Sequence, residues 1–204
     1  MTSSTTLIIA RHGNTFREGE TPTRVGGRTD LPLVEKGEEQ ARKLGEDLRA
    51  NHLLPDHIFT SNLQRTIKTA ELAAQAMNCH APRESLAIFN EIDYGDDENK
   101  PEPEVIAHLG AEALRAWDTD CLMPAGWSPR PEDILKNWQN FLARLETHFS
   151  GKTVLVVTSN GIARFALDLA LPSSHPRKLW TGAYGVLEFL APAWQVREWN
   201  TRPK

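Results

Sequence analysis

Apolar runs of strand length alternate along this chain with stretches whose apolar positions recur at helical spacing. Thr6-Leu7-Ile8-Ile9-Ala10 is short, apolar and rich in β-branched residues, which predicts a buried strand that stops at Gly13. A helix follows from about Val34 to Ala50, with Ala41, Leu44 and Leu48 on one face. His57-Ile58-Phe59-Thr60 reads as a second short strand. Ser61 then stands at the N-cap of a helix from Asn62 to Met77, whose core stripe is Leu63, Ile67, Ala70, Ala73 and Ala74. Leu86-Ala87-Ile88-Phe89 reads as another short strand. Glu102 to Trp117 has a helical pattern interrupted at Gly110, and Cys121 to Pro131 is Pro/Gly-rich and irregular. Glu132 to Phe149 is amphipathic through Ile134, Leu135, Trp138, Leu142 and Leu145. Thr153 to Thr158 carries no charge, which predicts a central strand buried on both faces. Ser159-Asn160-Gly161 turns into a helix from about Ile162 to Leu171. Val186 to Leu190 and Trp194 to Trp199 form a closing hairpin at a sheet edge, with its turn near Pro192.

Strands alternating with helices predict an α/β fold, a three-layer α/β/α sandwich with a mostly parallel sheet. The 204 residues, 40% hydrophobic, suit one domain over 1–204, with a small helical cap or insertion at about 96–131. A net charge of -4 argues against a general nucleic-acid binder, whose footprint is basic. No apolar stretch reaches the roughly 18 residues of a membrane span, and residues 1–5 lack the basic start and apolar core of a signal peptide. The expectation is a cytoplasmic protein with no membrane partner. Cys79 and Cys121 are isolated, so no metal or redox site is expected from them.

The candidate chemistry gathers where predicted strands end. The first delivers Arg11 and His12 to a sheet edge, and in open α/β sheets ligands bind at the carboxyl ends of the strands. A cation beside an imidazole suggests an anionic substrate. Arg65 lies in the first turn of a helix, where the macrodipole disfavours a cation unless both serve an anion. Phe16 to Asp30 is a loop too long for a plain connector, and its Arg24 and Arg28 are candidates to face substrate. Glu91 follows the third apolar run, close to the acidic turn Asp96-Asp97-Glu98. Asn160 and Gly161 open a helix after the central strand. Asn160 is an anion contact, an N-cap or both, and the Gly161 backbone at a helix N-terminus suits an anion. Trp117, Trp127, Trp138 and Trp180 line a cap pocket or simply pack.

Arg11-His12-Gly13-x-Thr15 is followed by Gly27-x-x-Asp30-x-Pro32-Leu33 and Gly37-x-x-Gln40-Ala41. Thr60-Ser61-x-Leu63-x-Arg65-x-x-x-Thr69-Ala70 and then Glu91-Ile92-Asp93-x-Gly95 come after these. In this ordered set, from about residue 6 to 98 and again over 153–165, the chain resembles the histidine phosphatase superfamily, the phosphoglycerate mutase-like proteins. The resemblance implies phosphoryl transfer through a phosphohistidine, with His12 the nucleophile, Arg11 and Arg65 on the phosphoryl oxygens and Glu91 protonating the leaving oxygen. Thr15, Arg24, Asn160 and Gly161 complete the expected substrate-binding set. Neighbouring guanidinium groups keep an imidazole neutral and nucleophilic, and they stabilise charge on the transferring group. Asp93, Asp96 and Asp97 are candidates to favour the protonated form of a catalytic carboxyl group. No metal or cofactor is implied, and the partner is a small-molecule phosphate ester.

Departures from the family pattern shape the expectation. Asn160 stands where relatives usually carry a second histidine. It keeps an amide donor but loses a possible positive charge, and losing one oxyanion donor costs on the order of 10²–10³ in rate. His108 and His175 are the candidate histidines for another element to bring in its place. The loop after Thr15 is longer than usual, with Glu18 or Glu20 near the position of a phosphate-contacting Asn. Asp97 and Asn99 flank Glu98 in place of an aromatic residue and a glycine. These changes imply a more acidic mouth. A phosphomonoester hydrolase is favoured over a mutase because the chain is short and the cap modest. The alternative is a phosphate-binding or regulatory protein without turnover. A serine hydrolase built on Ser159 lacks the first glycine of its elbow, where Val157 stands. No Gly-x-Gly-x-x-Gly follows a strand to bind a dinucleotide.

Overall fold

The computed structural model describes residues 4–172 and 175–204. Its strands join in one seven-stranded sheet, and the apolar run over 153–158 lies inside it. β1 (Thr5–Arg11), α1 (Glu35–Ala50), β2 (His57–Thr60), α2 (Gln64–Ala76) and β3 (Arg83–Ser85) come first in the chain. α3 (Glu102–Leu109), α4 (Ala111–Asp120), α5 (Pro131–His148) and β4 (Thr153–Thr158) follow. The chain closes with α6 (Asn160–Ala163), β5 (Ala170–Leu171), β6 (Tyr184–Leu190) and β7 (Ala193–Thr201). The strand order is β3-β2-β4-β1-β6-β7-β5. β3, β2, β4 and β1 run parallel, and β6 is antiparallel to both β1 and β7. The sheet is mostly parallel and the class is α/β.

Two apolar clusters cover its faces. Ile8, Ala10, Leu155 and Val157 pack with Leu44 and Leu48 of α1 and Ala70, Ala73 and Ala74 of α2. Leu7, Ile9, Val154 and Val156 face the other way, toward Trp138, Phe141, Leu142 and Leu145 of α5. The period of two along β1 and β4 makes both clusters from one run of residues. α3 and α4 add Val105, Leu114 and Trp117 to the second cluster. The indole Nε1 of Trp138 donates to the Ile162 carbonyl at 2.9 Å and ties α5 to the turn after β4.

Several elements differ from the sequence expectation. Leu86–Phe89 is not a strand: β3 lies just before it, and Ala87–Phe89 is a 3-10 turn. α2 begins at Gln64 rather than Asn62 and is capped by a distant residue. The Asp30 carboxylate accepts the Gln64 N–H at 2.9 Å, whereas Ser61 Oγ accepts from Leu63 N and bonds Thr66. The helix expected over 162–171 is a four-residue α6, a 3-10 segment over Arg164–Leu169 and the two-residue β5. β5 pairs beyond β7, so the closing hairpin is not itself the sheet edge. No helix among the described residues is long and apolar enough to cross a membrane.

Candidate active site

Because β1, β4, β2 and β3 are parallel, their carboxyl ends share one edge of the sheet. Antiparallel β6 starts beside Ala10, so the segment leading into it arrives at the same edge. Here His12 is buried, 6% exposed. Its Nδ1 lies 2.7 Å from the Gly13 carbonyl and its Nε2 3.3 Å from Nε of Arg65. A carbonyl only accepts and a guanidinium N–H only donates, so the pair sets the tautomer: Nδ1 carries the proton and Nε2 the lone pair. Burial, then Arg65, then Arg11 hold this imidazole well below the usual histidine range, and the Gly13 contact opposes them. Burial outranks the guanidinium groups that the sequence pointed to.

The turn carrying His12 needs close backbone approach. A Cβ on Gly13 would stand 2.2 Å from the Gly37 carbonyl oxygen at the start of α1. Gln40 of α1 accepts the Asn14 N–H at 2.8 Å, and the Gly13 N–H reaches Thr69 of α2 at 3.1 Å. These contacts give the Gly37-x-x-Gln40 and Thr69 positions a physical role.

Arg65 is wholly buried. Its Nη1 and Nη2 donate to the Thr29 and Gly26 carbonyls at 2.8 and 3.1 Å, leaving Nε to face His12. Arg11 donates through Nη1 to the Leu179 carbonyl at 2.9 Å, and its Nε has no partner. Burial lowers both guanidinium pKa values, and Glu91 is the foremost opposing charge for each. Glu91 is 8% exposed. Its Oε1 accepts from Ile92 N at 2.9 Å and its Oε2 from Gly161 N at 3.2 Å. Thr158 Oγ1 donates to the Phe89 carbonyl at 2.7 Å, tying the turn before Glu91 to the end of β4.

A cavity of about 810 Å³ opens on this cluster. Arg11, His12, Thr15, Arg24, Glu91 and Asn160 line it, together with the buried Tyr94 and Trp117 and the exposed Lys36, Lys178 and Trp180. Burial and Glu91 push the Tyr94 hydroxyl up.

The family model for the histidine phosphatase superfamily (branch 1) matches residues 7–202. The chain belongs to that superfamily. A Bacillus subtilis (strain 168) protein, the uncharacterized phosphatase PhoE, is 28% identical over 200 residues, which is 96% of this chain and 94% of its own. The 2,3-bisphosphoglycerate-dependent phosphoglycerate mutase of Bifidobacterium longum (strain NCC 2705) is 34% identical over 112 residues. That match takes in 54% of this chain and only 45% of the mutase. The solved structure of YhfR from Bacillus stearothermophilus aligns at a TM-score of 0.77 and 26% identity, covering 96% of each chain. The superfamily comprises phosphatases and mutases, which makes a phosphatase enzyme the coarse assignment.

In this member of the superfamily the expected site residues have unequal positions. Arg11, His12 and Glu91 line the cavity, while Arg65 meets His12 from behind the wall. Asn160 is not an N-cap. Ser159 holds that place, and Asn160 Oδ1 accepts the Leu179 N–H at 2.8 Å. The Gly161 amide is spent on Glu91 rather than open to an external anion. Arg24 lines the cavity but is paired to Glu102 at 2.8 Å, with the Tyr94 and Trp127 rings 5.3 and 5.1 Å from its guanidinium carbon. Arg28 is bound to Asp93 and the Gly95 carbonyl, away from the lining.

The acidic turn does not make the mouth acidic. Asp97 is buried against His108 and Trp127, and Asn99 bonds Thr23. Asp93 and Asp97 are thus engaged elsewhere than at Glu91. Glu98 holds the Arg28 and Tyr94 amides, whereas Glu18 does reach the cavity wall. Neither His108 nor His175 lines the cavity. Ser159 Oγ is buried without a hydrogen-bond partner, so no base activates it as a serine nucleophile. Trp138 is core, Trp127 packs on Tyr94 and Trp117, and only Trp117 and Trp180 line the cavity. The sequence reading missed Lys36 and Lys178. Lys36 had a signal: like Arg65, it is a cation in a helix's first turn.

Proposed function

We propose that this chain hydrolyses a small phosphomonoester through a phosphohistidine on His12. As the Arg65 Nε–H turns from Nε2 to a phosphoryl oxygen, Nε2 of the neutral imidazole attacks phosphorus opposite the ester oxygen, the P–O bond breaks, and the Glu91 carboxyl group delivers a proton to the departing oxygen. Water then attacks phosphorus, the Glu91 carboxylate takes a proton from it, the N–P bond breaks and inorganic phosphate leaves. Arg11 and Arg65 carry the charge of the transferring group, the main demand of phosphoryl transfer. One observation carries this reading: the Gly13 carbonyl and Arg65 together fix the tautomer whose lone pair is on Nε2, beside a cavity that Glu91 also lines.

A second reading, a phosphate-binding protein without turnover, draws support from Asn160. With its oxygen committed to Leu179, only its Nδ2 hydrogens remain for a phosphoryl group. Phosphate release from p-nitrophenyl phosphate by wild type, His12→Ala and Asn160→His separates the two. Release that vanishes in His12→Ala, with one phosphoryl group trapped on wild type by rapid acid-free quench, is the expected result. Release unaffected by His12→Ala overturns the phosphohistidine mechanism. A silent wild type whose Asn160→His variant turns over favours the binding protein.

A further inference from the structure

Two segments beside the cavity meet on one buried carboxylate, that of Asp97. Its side chain is 4% exposed. Oδ2 accepts the Trp127 indole N–H at 2.8 Å, and Oδ1 lies 2.7 Å from Nδ1 of His108 on α3. A charge taken from water needs such partners, and here each oxygen has one. The hydrogen bond to Asp97, then the charge of that carboxylate, raises the His108 pKa and favours an ion pair.

What Asp97 holds leads to Arg24 by two routes. The first runs through side chains. Trp127 stands edge to face on Tyr94, with ring centroids 4.6 Å apart, and the Arg24 guanidinium lies against both rings. The second runs through the backbone. The Asp97 carbonyl accepts the Lys100 N–H at 3.2 Å, the Lys100 carbonyl accepts the Arg24 N–H at 2.9 Å, and the Arg24 carbonyl accepts the Asn99 N–H at 2.8 Å. The segment bearing Trp127 is fixed at its next residue, since Ser128 and Asp93 exchange backbone bonds of 2.8 and 3.0 Å. Among the described residues Glu102 is the one side-chain hydrogen-bond partner of Arg24, and Arg24 Nε has none. The guanidinium therefore keeps donors for a ligand in the cavity it lines. It makes no hydrogen bond to Arg11, His12 or Glu91 and so stands apart from the reacting cluster.

We infer that Asp97 is a positioning residue: it fixes Trp127, and through Trp127 it holds the Arg24 guanidinium in the cavity wall where substrate binds. A free arginine side chain loses much rotamer freedom when it grips a ligand, and one already seated against two rings loses less. The inference deepens the hydrolytic reading and rests on it for turnover alone, because Arg24 is held with or without hydrolysis.

The test sets Asp97→Leu beside Asp97→Asn, whose amide oxygen still accepts the Trp127 indole. Steady-state kinetics use p-nitrophenyl phosphate, and dissociation constants for the same ester are taken in the His12→Ala background, which holds it intact. Asp97→Leu is expected to raise KM on the order of tenfold with kcat within about twofold, as for a lost contact that serves ground state and transition state alike. The dissociation constant is expected to rise by the same factor, and Asp97→Asn to restore most of both. Arg24→Met is expected to match Asp97→Leu, and the two together to cost little more than either, because they remove one interaction. Trp127→Phe keeps a ring and loses only the indole donor, so it carries the test if Asp97→Leu fails to fold, and its KM is expected to rise in the same direction. An unchanged KM, a loss confined to kcat, or a full further loss when Asp97→Leu is added to Arg24→Met overturns the inference. A wild type that releases no phosphate while the dissociation constants follow this pattern overturns the hydrolytic reading alone.

Discussion

Gly161→Ala isolates the part of Glu91 in the chemistry. A Cβ at residue 161 would stand 2.2 Å from Glu91 Oε1 and 2.9 Å from Ile92 Cδ1. Ordinary contact needs more than about 3 Å, so the carboxyl group must retreat by about 1 Å. Its bond from Gly161 N, 3.2 Å long, stretches with it. A misplacement of that size in a reacting group can cost about 10²-fold, or about 2.7 kcal/mol of barrier at about 1.36 kcal/mol per decade. The strain on the fold is smaller, because the colliding atom ends a side chain. Overpacking of about 1 kcal/mol would lower Tm by roughly 2–4 °C in a chain of this size. The assay is kcat/KM for an alkyl phosphate and for p-nitrophenyl phosphate, with a thermal melt alongside. The alkyl ester needs its leaving oxygen protonated and is expected to lose about 10²-fold. The p-nitrophenolate leaves without help, so its kcat/KM is expected to fall far less. Equal losses for both esters, or none for either, would refute the assignment of Glu91 as the acid.

The depressed pKa of His12 sets a pH dependence for stability. Below about pH 6.5 the unfolded histidine binds a proton that the folded one does not, so wild-type stability relative to His12→Ala falls as pH drops from there toward the folded value, by at most about 1.4 kcal/mol per pH unit, and is flat above. Urea melts of both proteins between pH 7.5 and 5 measure the gap, and a gap that stays constant contradicts a buried neutral imidazole. Asp30→Ala removes the carboxylate that caps α2, and urea melts are expected to show a loss of about 0.5–2 kcal/mol, whereas no loss would mean that water caps the helix as well. Leu155→Ala empties a wholly buried position in the central strand and is expected to cost about 2–5 kcal/mol by the same assay.

Local pattern carried the elements whose signal is periodic or purely apolar. β1, β2, β4, α1 and α5 could be read from the chain because strand and helix periods are set by neighbours within one or two turns. The ordered motifs carried the family and brought Arg11, His12, Arg65 and Glu91 into one hypothesis. Their partners could not be read in the same way. Asp30 caps a helix 34 positions away, Asn160 holds Leu179 rather than its own helix, and Arg11 bonds a carbonyl 168 positions away. A preference for Asn at an N-cap is a local average that a distant amide overrides when the fold brings it within 3 Å. The charge of the mouth shows the same limit. The sequence counts Asp97 and Glu102 as acidic, but tertiary contacts bury one under Trp127 and pair the other with Arg24, leaving Lys36 and Lys178 in the cavity without a carboxylate partner. Composition determines how many charges the chain holds. Only the fold decides which of them remain unpaired, because pairing depends on distances across the sheet edge rather than spacing along the chain.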